Sequence, residues 1–527
     1  MSRTAKKKFL NIITLLLLSM VLVVFTSVIK YPEGDVNFTN SDATYHTLLT
    51  MQAYDETPVS VHKFLPIVTL GGETDKNIPW GATVPDSQGN YYYTSFSPAG
   101  FALPYLFCKI FFLPINEMSL YIFNSVLFFA SAFLVGVLVL KIFCDKKSPL
   151  FLSIIAVFLY ILTPETLISM GIVYWHQSIM QVTLLLQLIA FVDIYKFKKG
   201  KYSTILFLVM SFINPYIEWT GYVANVGYAL AFVAINRKDI KTGIKKAMCM
   251  AGVSFLSFMM FTVHYCSTIN PVEYVYALVK RFIERSVTEK YTYLHLLMGY
   301  LDSFTLILFL ICILFVVLTL IYKGFDWIKL SMFWSNKVIF AVALFPVLEN
   351  VIMKQHSIIY TYDRMKLIFI LLLIICDFVC LISEKITYKK LSIICLVITV
   401  VGVSNYSIHT IERIWVANFK AENKLLADYC TKKYTPENSV CGMEDFNVRG
   451  YTNLLFKRSI YEFSDYEKII KIAESNGKQY ALSISAEVDP NGEVHCGIHK
   501  FVSIKVFDCL NKTEKVIKLE NGIVVER

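Results

Sequence analysis

Apolar runs recur from Phe9 to Val403, separated by short clusters of lysine and arginine. A helix of ~20 apolar residues satisfies its own backbone inside lipid, so a chain built from such runs folds as a polytopic helical membrane protein. The composition agrees: 56% of the 527 residues are hydrophobic and 15% are aromatic, and the mean hydropathy is +0.54. The first run, Phe9 to Ile29, lacks a small-residue cleavage site and is followed by Lys30-Tyr31-Pro32, so it reads as a retained anchor.

The net charge of +10 is not a nucleic-acid signal, because the basic residues sit between apolar runs as the positive-inside rule expects. Arg3, Lys6, Lys7 and Lys8 hold the N-terminus in the cytoplasm. Clusters at Lys141–Lys147, Lys196–Lys201, Arg237–Lys246, Lys323–Lys337 and Lys385–Lys390 go to the same side. The expectation is about eleven spans. They are Phe9–Ile29, Met118–Phe143, Leu150–Ser169, Val173–Tyr195, Tyr202–Glu218, Gly221–Ile235, Ala247–Tyr265, Phe304–Tyr322, Val338–Ile352, Leu367–Ile382 and Leu391–Val403.

One run breaks the alternation. Phe101–Leu113 contains Pro104 and lies between Pro98 and Pro114. As a span it would put the Lys141–Lys147 cluster outside, so it reads as an interfacial or re-entrant helix. Residues 31–117 then form one large external loop. Val275, Leu278, Val279 and Phe282 have the spacing of a surface amphipathic helix in a later external loop. These segments make up a transmembrane domain over residues 1–404. Residues 405–527 are more polar and contain alternating stretches such as Val502-Ser503-Ile504-Lys505-Val506, with a hairpin turn at Asp489-Pro490-Asn491-Gly492. The fold class is therefore all-α polytopic with a small extracytoplasmic C-terminal α/β domain. Cys430, Cys441, Cys496 and Cys509 in that domain allow one or two disulfides.

The polar residues near the outer surface carry the chemistry. Asp42 heads an expected helix, Asp42–Tyr54, with Ser41 or Asn40 as its cap, and His46 lies one turn on. As a general base Asp42 would serve an acceptor hydroxyl; as a structural residue it would favour the helix dipole. The helix N-terminus is expected to keep it ionised. Ser97-Pro98 forms the entry to the interfacial helix. Glu218 lies in the turn between two spans, where an acid faces either a cavity or the headgroups. Glu349, His356, Tyr362, Asp363, Arg364 and Lys366 form the densest polar group. Positive charge there suits an anionic phosphate headgroup, or ordinary snorkelling with a local ion pair. No phosphate-binding glycine loop, zincin pair or nucleophile elbow is present in the sequence.

One span, an external loop opening on an acid, interfacial helices, many spans and an external C-terminal domain: this layout resembles the GT-C integral-membrane glycosyltransferases. That family includes protein O-mannosyltransferases, the lipid A aminoarabinose transferase and galacturonosyltransferase-like proteins. The resemblance covers residues 9–400 as architecture, and Asn40–His46, Phe96–Gly100 and His356–Lys366 as local motifs. It implies an inverting transferase (EC 2.4 class), and the lysine- and isoleucine-rich composition points to a bacterial cell membrane. The sugar would pass from a polyprenyl-phosphate carrier to a hydroxyl on a glycan, lipid or protein at the outer face.

By the same resemblance Asp42 takes the place of the catalytic acid, and Arg364 and Lys366 would stabilise charge on the leaving phosphate. Glu218 would be the second acid, with His46, Ser97, His356, Tyr362 and Asp363 as substrate-binding residues. Two departures stand out: Asp42 is followed by Ala43 rather than a second acid, and the second external loop has Trp175-His176-Gln177 where relatives place one. No metal ligand set is assigned, and a divalent cation stays open. Competing readings are a polysaccharide polymerase or ligase, and a transporter or flippase. The latter needs midplane charge, for which Asp377 is the main candidate.

Overall fold

The computed structural model describes residues 3–30, 41–70, 82–321, 336–383, 400 and 420–527. Within these, residues 147, 199, 288–289, 305, 444–448, 463–464 and 488–497 are not described. The chain divides into two compact units. One holds residues 1–31, 121–262 and 282–410, and the other holds 32–120, 263–281 and 411–527. Residues 32–120 and the C-terminal region thus belong to one unit, a grouping that chain order alone does not suggest.

The first unit is helical. Among the described residues four helices are long and apolar enough to cross a membrane: Ala5–Lys30, Glu117–Ile142, His176–Tyr195 and Ile240–Cys266. Two further pairs of helices pass as bent spans, which raises the count to six. The chain is an integral membrane protein by this architecture. Several expected spans are shorter or broken. Val338–Ile352 is a helix Lys337–Leu344, a 3-10 turn Phe345–Val347 and a helix Leu348–Ile352. Pro346 supplies no N–H at that break. The span expected at Leu391–Val403 lies, apart from Val400, outside the described residues.

The pair Pro149–Ile161 and Pro164–Ile172 bends by 64°. Pro164 starts the second helix, and the chain closes through a π-helical turn, Ile168–Ile172. Such turns free carbonyls from the helix ladder. Here the buried Asn124 amide donates to Gly171 O and Val173 O, both at 3.0 Å. Glu165, in the second helix of the pair, accepts from Ser303 Oγ at 2.7 Å.

In the second unit a helix, Ser41–Glu56, confirms the element expected to begin at Asp42. Strands β1 (Thr83–Pro85) and β2 (Tyr91–Tyr93) form a short antiparallel hairpin. The helix Ala99–Ile110 follows. At ~1.5 Å per residue its length is about 18 Å, well short of a ~30 Å hydrocarbon core. It leaves Leu103, Leu106 and Ile110 exposed, as does the following Phe112.

The C-terminal part has the expected α/β character. Strands β3 (Ser439–Met443), β4 (Tyr461–Glu462), β5 (Tyr480–Ala486), β6 (Phe501–Asp508), β7 (Thr513–Glu520) and β8 (Ile523–Glu526) form one sheet, ordered β4-β3-β5-β6-β7-β8. β3 runs parallel to both neighbours and is buried along its whole length, as an inner parallel strand should be. The remaining pairs are antiparallel. The alternation from Val502 to Val506 falls in β6, whereas the turn at Asp489–Gly492 lies outside the described residues. Cys430, Cys441 and Cys509 are buried, and no disulfide joins them to one another; Cys496, the fourth cysteine of the disulfide expectation, lies outside the described residues.

The helix Arg449–Phe456 of this region packs on Ser41–Glu56. A Cβ at Gly450 would lie 2.7 Å from the Tyr45 carbonyl, so a side chain there would push the two helices apart. Tyr45 donates to Glu117 at 2.7 Å, and Lys420 reaches the other oxygen of Glu117 at 3.0 Å.

Candidate active site

Two groups of polar side chains stand out, one in each unit. In the second unit Asp42 lies in the first turn of Ser41–Glu56. The residue is half-buried, and its Oδ1 is buried with no hydrogen-bond partner among the described residues. Burial pushes the carboxyl up to about 7, against backbone N–H groups that lower it. The sequence expectation was the reverse, that the helix N-terminus would dominate. Desolvation outweighs the terminal amides because the oxygen has so little water around it. His46 packs its ring edge-on to Tyr93 at 4.5 Å and against Phe101 at 5.2 Å. Ser97 Oγ accepts the Ala99 N–H at 3.1 Å, at the start of the helix Ala99–Ile110.

The first unit gathers Glu218, Glu349, His356, Asp363, Arg364 and Lys366. A 3-10 helix, Thr361–Leu367, carries three of them. With three residues per turn, positions i and i+3 eclipse, so Asp363 and Lys366 fall on one face and bond at 2.9 Å. Lys366 also donates to Glu349 Oε2 and, at 2.9 Å, to Thr220 Oγ1. Glu218 has an extended backbone between the helices Lys201–Ile217 and Thr220–Ile235. One of its oxygens accepts the Thr220 N–H at 3.1 Å.

Asp363 is completely buried and has four donors. Its Oδ1 receives Lys366 and, at 3.2 Å, Gln177 Nε2. Its Oδ2 receives Ser357 Oγ and His356 Nδ1, the latter at 3.3 Å. Burial opposes its ionisation, but the Lys366 ammonium and the bonds from His356 and Ser357 hold the carboxyl well below the usual range. Burial, helped by the charge of Arg285, lowers His356 to about 4. The ring is therefore neutral, with Nδ1–H donating to Asp363.

Arg364 points the other way. Its Nε donates to Ser303 Oγ at 2.8 Å, and its Nη1 donates to Ser357 O at 2.8 Å and Ile358 O at 3.0 Å. Ser303 in turn bonds Glu165, so the guanidinium is tied to that acid through one hydroxyl. Tyr362 stacks on Tyr360 at 5.5 Å and lies 6.4 Å from Trp175.

The structure thus brings Glu218, His356, Asp363, Arg364 and Lys366 into one cluster, with Asp42, His46 and Ser97 in the other unit. Sequence reasoning singled out neither Gln177 nor Thr220 as a partner, since a glutamine or threonine has no distinctive spacing. Glu165 lies in the second helix of the pair bent by 64° and is buried there, accepting from Ser303.

Oxygens of Glu218, Glu349 and Asp363 lie within 4.8 Å of one another, a spacing at which three carboxylates can hold a metal ion. Gly221, beside Glu218, permits this turn. A Cβ there would overlap the Asn214 carbonyl carbon and the Pro215 nitrogen. Gly221→Ala is expected to destabilise the protein by about 1–3 kcal/mol through overpacking. An unchanged thermal midpoint in detergent would refute that.

Comparison by sequence with protein families and with curated proteins finds no match. Comparison of folds does. The oligosaccharyltransferase AglB of Archaeoglobus fulgidus, in complex with an inhibitory peptide and a dolichol-phosphate, aligns with TM-score 0.55 at 12% identity, over 91% of this chain and 70% of that one. An Archaeoglobus fulgidus oligosaccharyltransferase in complex with Zn and sulfate aligns with TM-score 0.51 at 13% identity, over 90% and 68%. ArnT from Cupriavidus metallidurans, bound to undecaprenyl phosphate, aligns with TM-score 0.53 at 9% identity, over 90% and 93%. The chain has the fold of the GT-C integral-membrane glycosyltransferases.

Proposed function

We propose that the protein transfers a sugar from a polyprenyl-phosphate carrier to a hydroxyl acceptor at the outer face of a bacterial membrane, with inversion and with Asp42 as the base. The observation that carries this reading is the Asp42 carboxylate: it has a buried oxygen without a partner among the described residues and is raised to about 7. A carboxylate so tuned is a better proton acceptor near neutral pH than an ordinary aspartate. The solved structures of similar fold include one with a dolichol-phosphate and one with undecaprenyl phosphate, which supports a lipid-phosphate donor.

In the reaction Asp42 takes the proton of the acceptor hydroxyl. The hydroxyl oxygen attacks the anomeric carbon, and the bond from that carbon to the phosphate oxygen breaks. Its electron pair leaves with the lipid phosphate. His46 and Ser97 orient the groups near Asp42. Glu218, His356, Tyr362, Asp363, Arg364 and Lys366 bond chiefly to one another and their neighbours, and serve as the fixed charge framework of their unit.

The test is transfer by purified protein in vesicles, using a panel of radiolabelled polyprenyl-phosphate sugars and membrane-derived acceptors. Transfer from at least one donor is expected. Transfer from a nucleotide sugar alone would overturn the reading. The pH dependence is a second check. Asp42 works as a base only when ionised, so kcat/KM should rise with pH through about 7 and level above it. A flat profile across that range would place the base elsewhere.

A further inference from the structure

Glu218, Glu349 and Asp363 are respectively 3%, 4% and 0% exposed, and their oxygens lie within 4.8 Å of one another. Three ionised carboxylates at that spacing repel, and burial removes the water that would screen them. They stay together only with protons or with a cation among them. The cation is present in the chain itself. Lys366 is 3% exposed, and its ammonium lies against two of the three acids.

The bonding is complete on both sides. An ammonium has three N–H donors and no acceptor. Lys366 directs them to Glu349 Oε2, Asp363 Oδ1 and Thr220 Oγ1. An ionised carboxylate has about four acceptor positions. Lys366, Gln177, Ser357 and His356 take those of Asp363. A divalent ion binds through oxygen lone pairs and repels a neighbouring ammonium. To enter, it would have to evict Lys366 and strip donors from Asp363.

One structure of similar fold is a complex with Zn. The donor set here fits such an ion in type and spacing, but not with Lys366 in place. The geometry points to Lys366 as the resident cation of this cluster, standing where a divalent metal would otherwise sit among Glu218, Glu349 and Asp363. This does not rest on the transferase reading. It concerns what the cluster binds, not what the protein transfers.

The experiment is a Mn²⁺ titration of the purified full chain in nanodiscs, followed by electron paramagnetic resonance, which needs no activity. The wild type is expected to take up no Mn²⁺ at the cluster. Lys366→Met, which keeps the length and removes the charge, is expected to bind about one Mn²⁺ per chain and to gain thermal stability with it. That uptake should be lost again when Glu349→Gln is added. Wild-type uptake that disappears with Glu349→Gln would overturn the proposal, as would a folded Lys366→Met chain that binds none. If Lys366→Met does not accumulate, the comparison of wild type with Glu349→Gln decides alone. Equal, absent uptake supports the lysine, and uptake only by the wild type refutes it.

Discussion

Asp42→Asn is expected to lower sugar transfer by about 10²–10⁴-fold, the usual contribution of a positioned general base. The protein should still accumulate and melt no earlier than the wild type. The sign follows from the environment. Folding raises the Asp42 carboxyl from 3.8 to about 7. The fold therefore favours its protonated form, and the stability this provides is present below about 4 and lost as pH rises through about 7. An asparagine is neutral throughout, so at pH 8 the variant escapes the cost of burying a charge. Loss of transfer with an unchanged or higher melting temperature at pH 8 thus separates catalysis from folding. Transfer that survives the substitution removes Asp42 from the mechanism. A variant that melts earlier at pH 8 would show that the carboxylate is held by donors and not merely desolvated.

The parts legible in the sequence are those set by one-dimensional patterns. The first apolar helix, the helix beginning at Asp42, the short helix around Pro104 and strand β6 each follow from hydropathy period, capping or proline. The Asp363–Lys366 spacing suits an ion pair on an α-helix as well as on a 3-10 helix, but its burial against Glu349 and Thr220 was not legible. Lysine at the outer face suggested a phosphate ligand, because sequence reports charge and not the acids that approach from elsewhere. Glu349 and Lys366 are seventeen positions apart, and Thr220 and Lys366 are 146 apart. Such meetings depend on breaks and bends, at Pro346 and at Pro164, whose direction no hydropathy window records. The short helices have the same origin. A window counts apolar residues and registers neither the 3-10 turn inside Val338–Ile352 nor the π turn after Leu167.

Asp363→Ala should be among the most destabilising single substitutions in the first unit, by about 3–5 kcal/mol, the range for breaking a buried ion pair from one side. The cost is not the loss of one bond. Removing the carboxylate leaves the Lys366 ammonium short of a partner beside Glu349, and removes the acceptor of Gln177, Ser357 and His356 together. Each is a buried donor that water cannot reach cheaply. The measurement is the apparent melting temperature by fluorescence-detected size exclusion, with Glu474→Ala as control. Glu474 pairs with Lys512 at 2.6 Å, but both side chains are largely in water, 41% and 62% exposed. A solvated pair of that kind contributes little, so the control should melt with the wild type. Asp363→Asn keeps one acceptor for Lys366 and should fall between the two. If alanine and asparagine melt alike, the stabilising element is the packing of the 3-10 helix and not the charge it carries. If Asp363→Ala melts with the wild type, the cluster contributes nothing to the fold. Its buried ionic network would then have to be explained by the reaction alone.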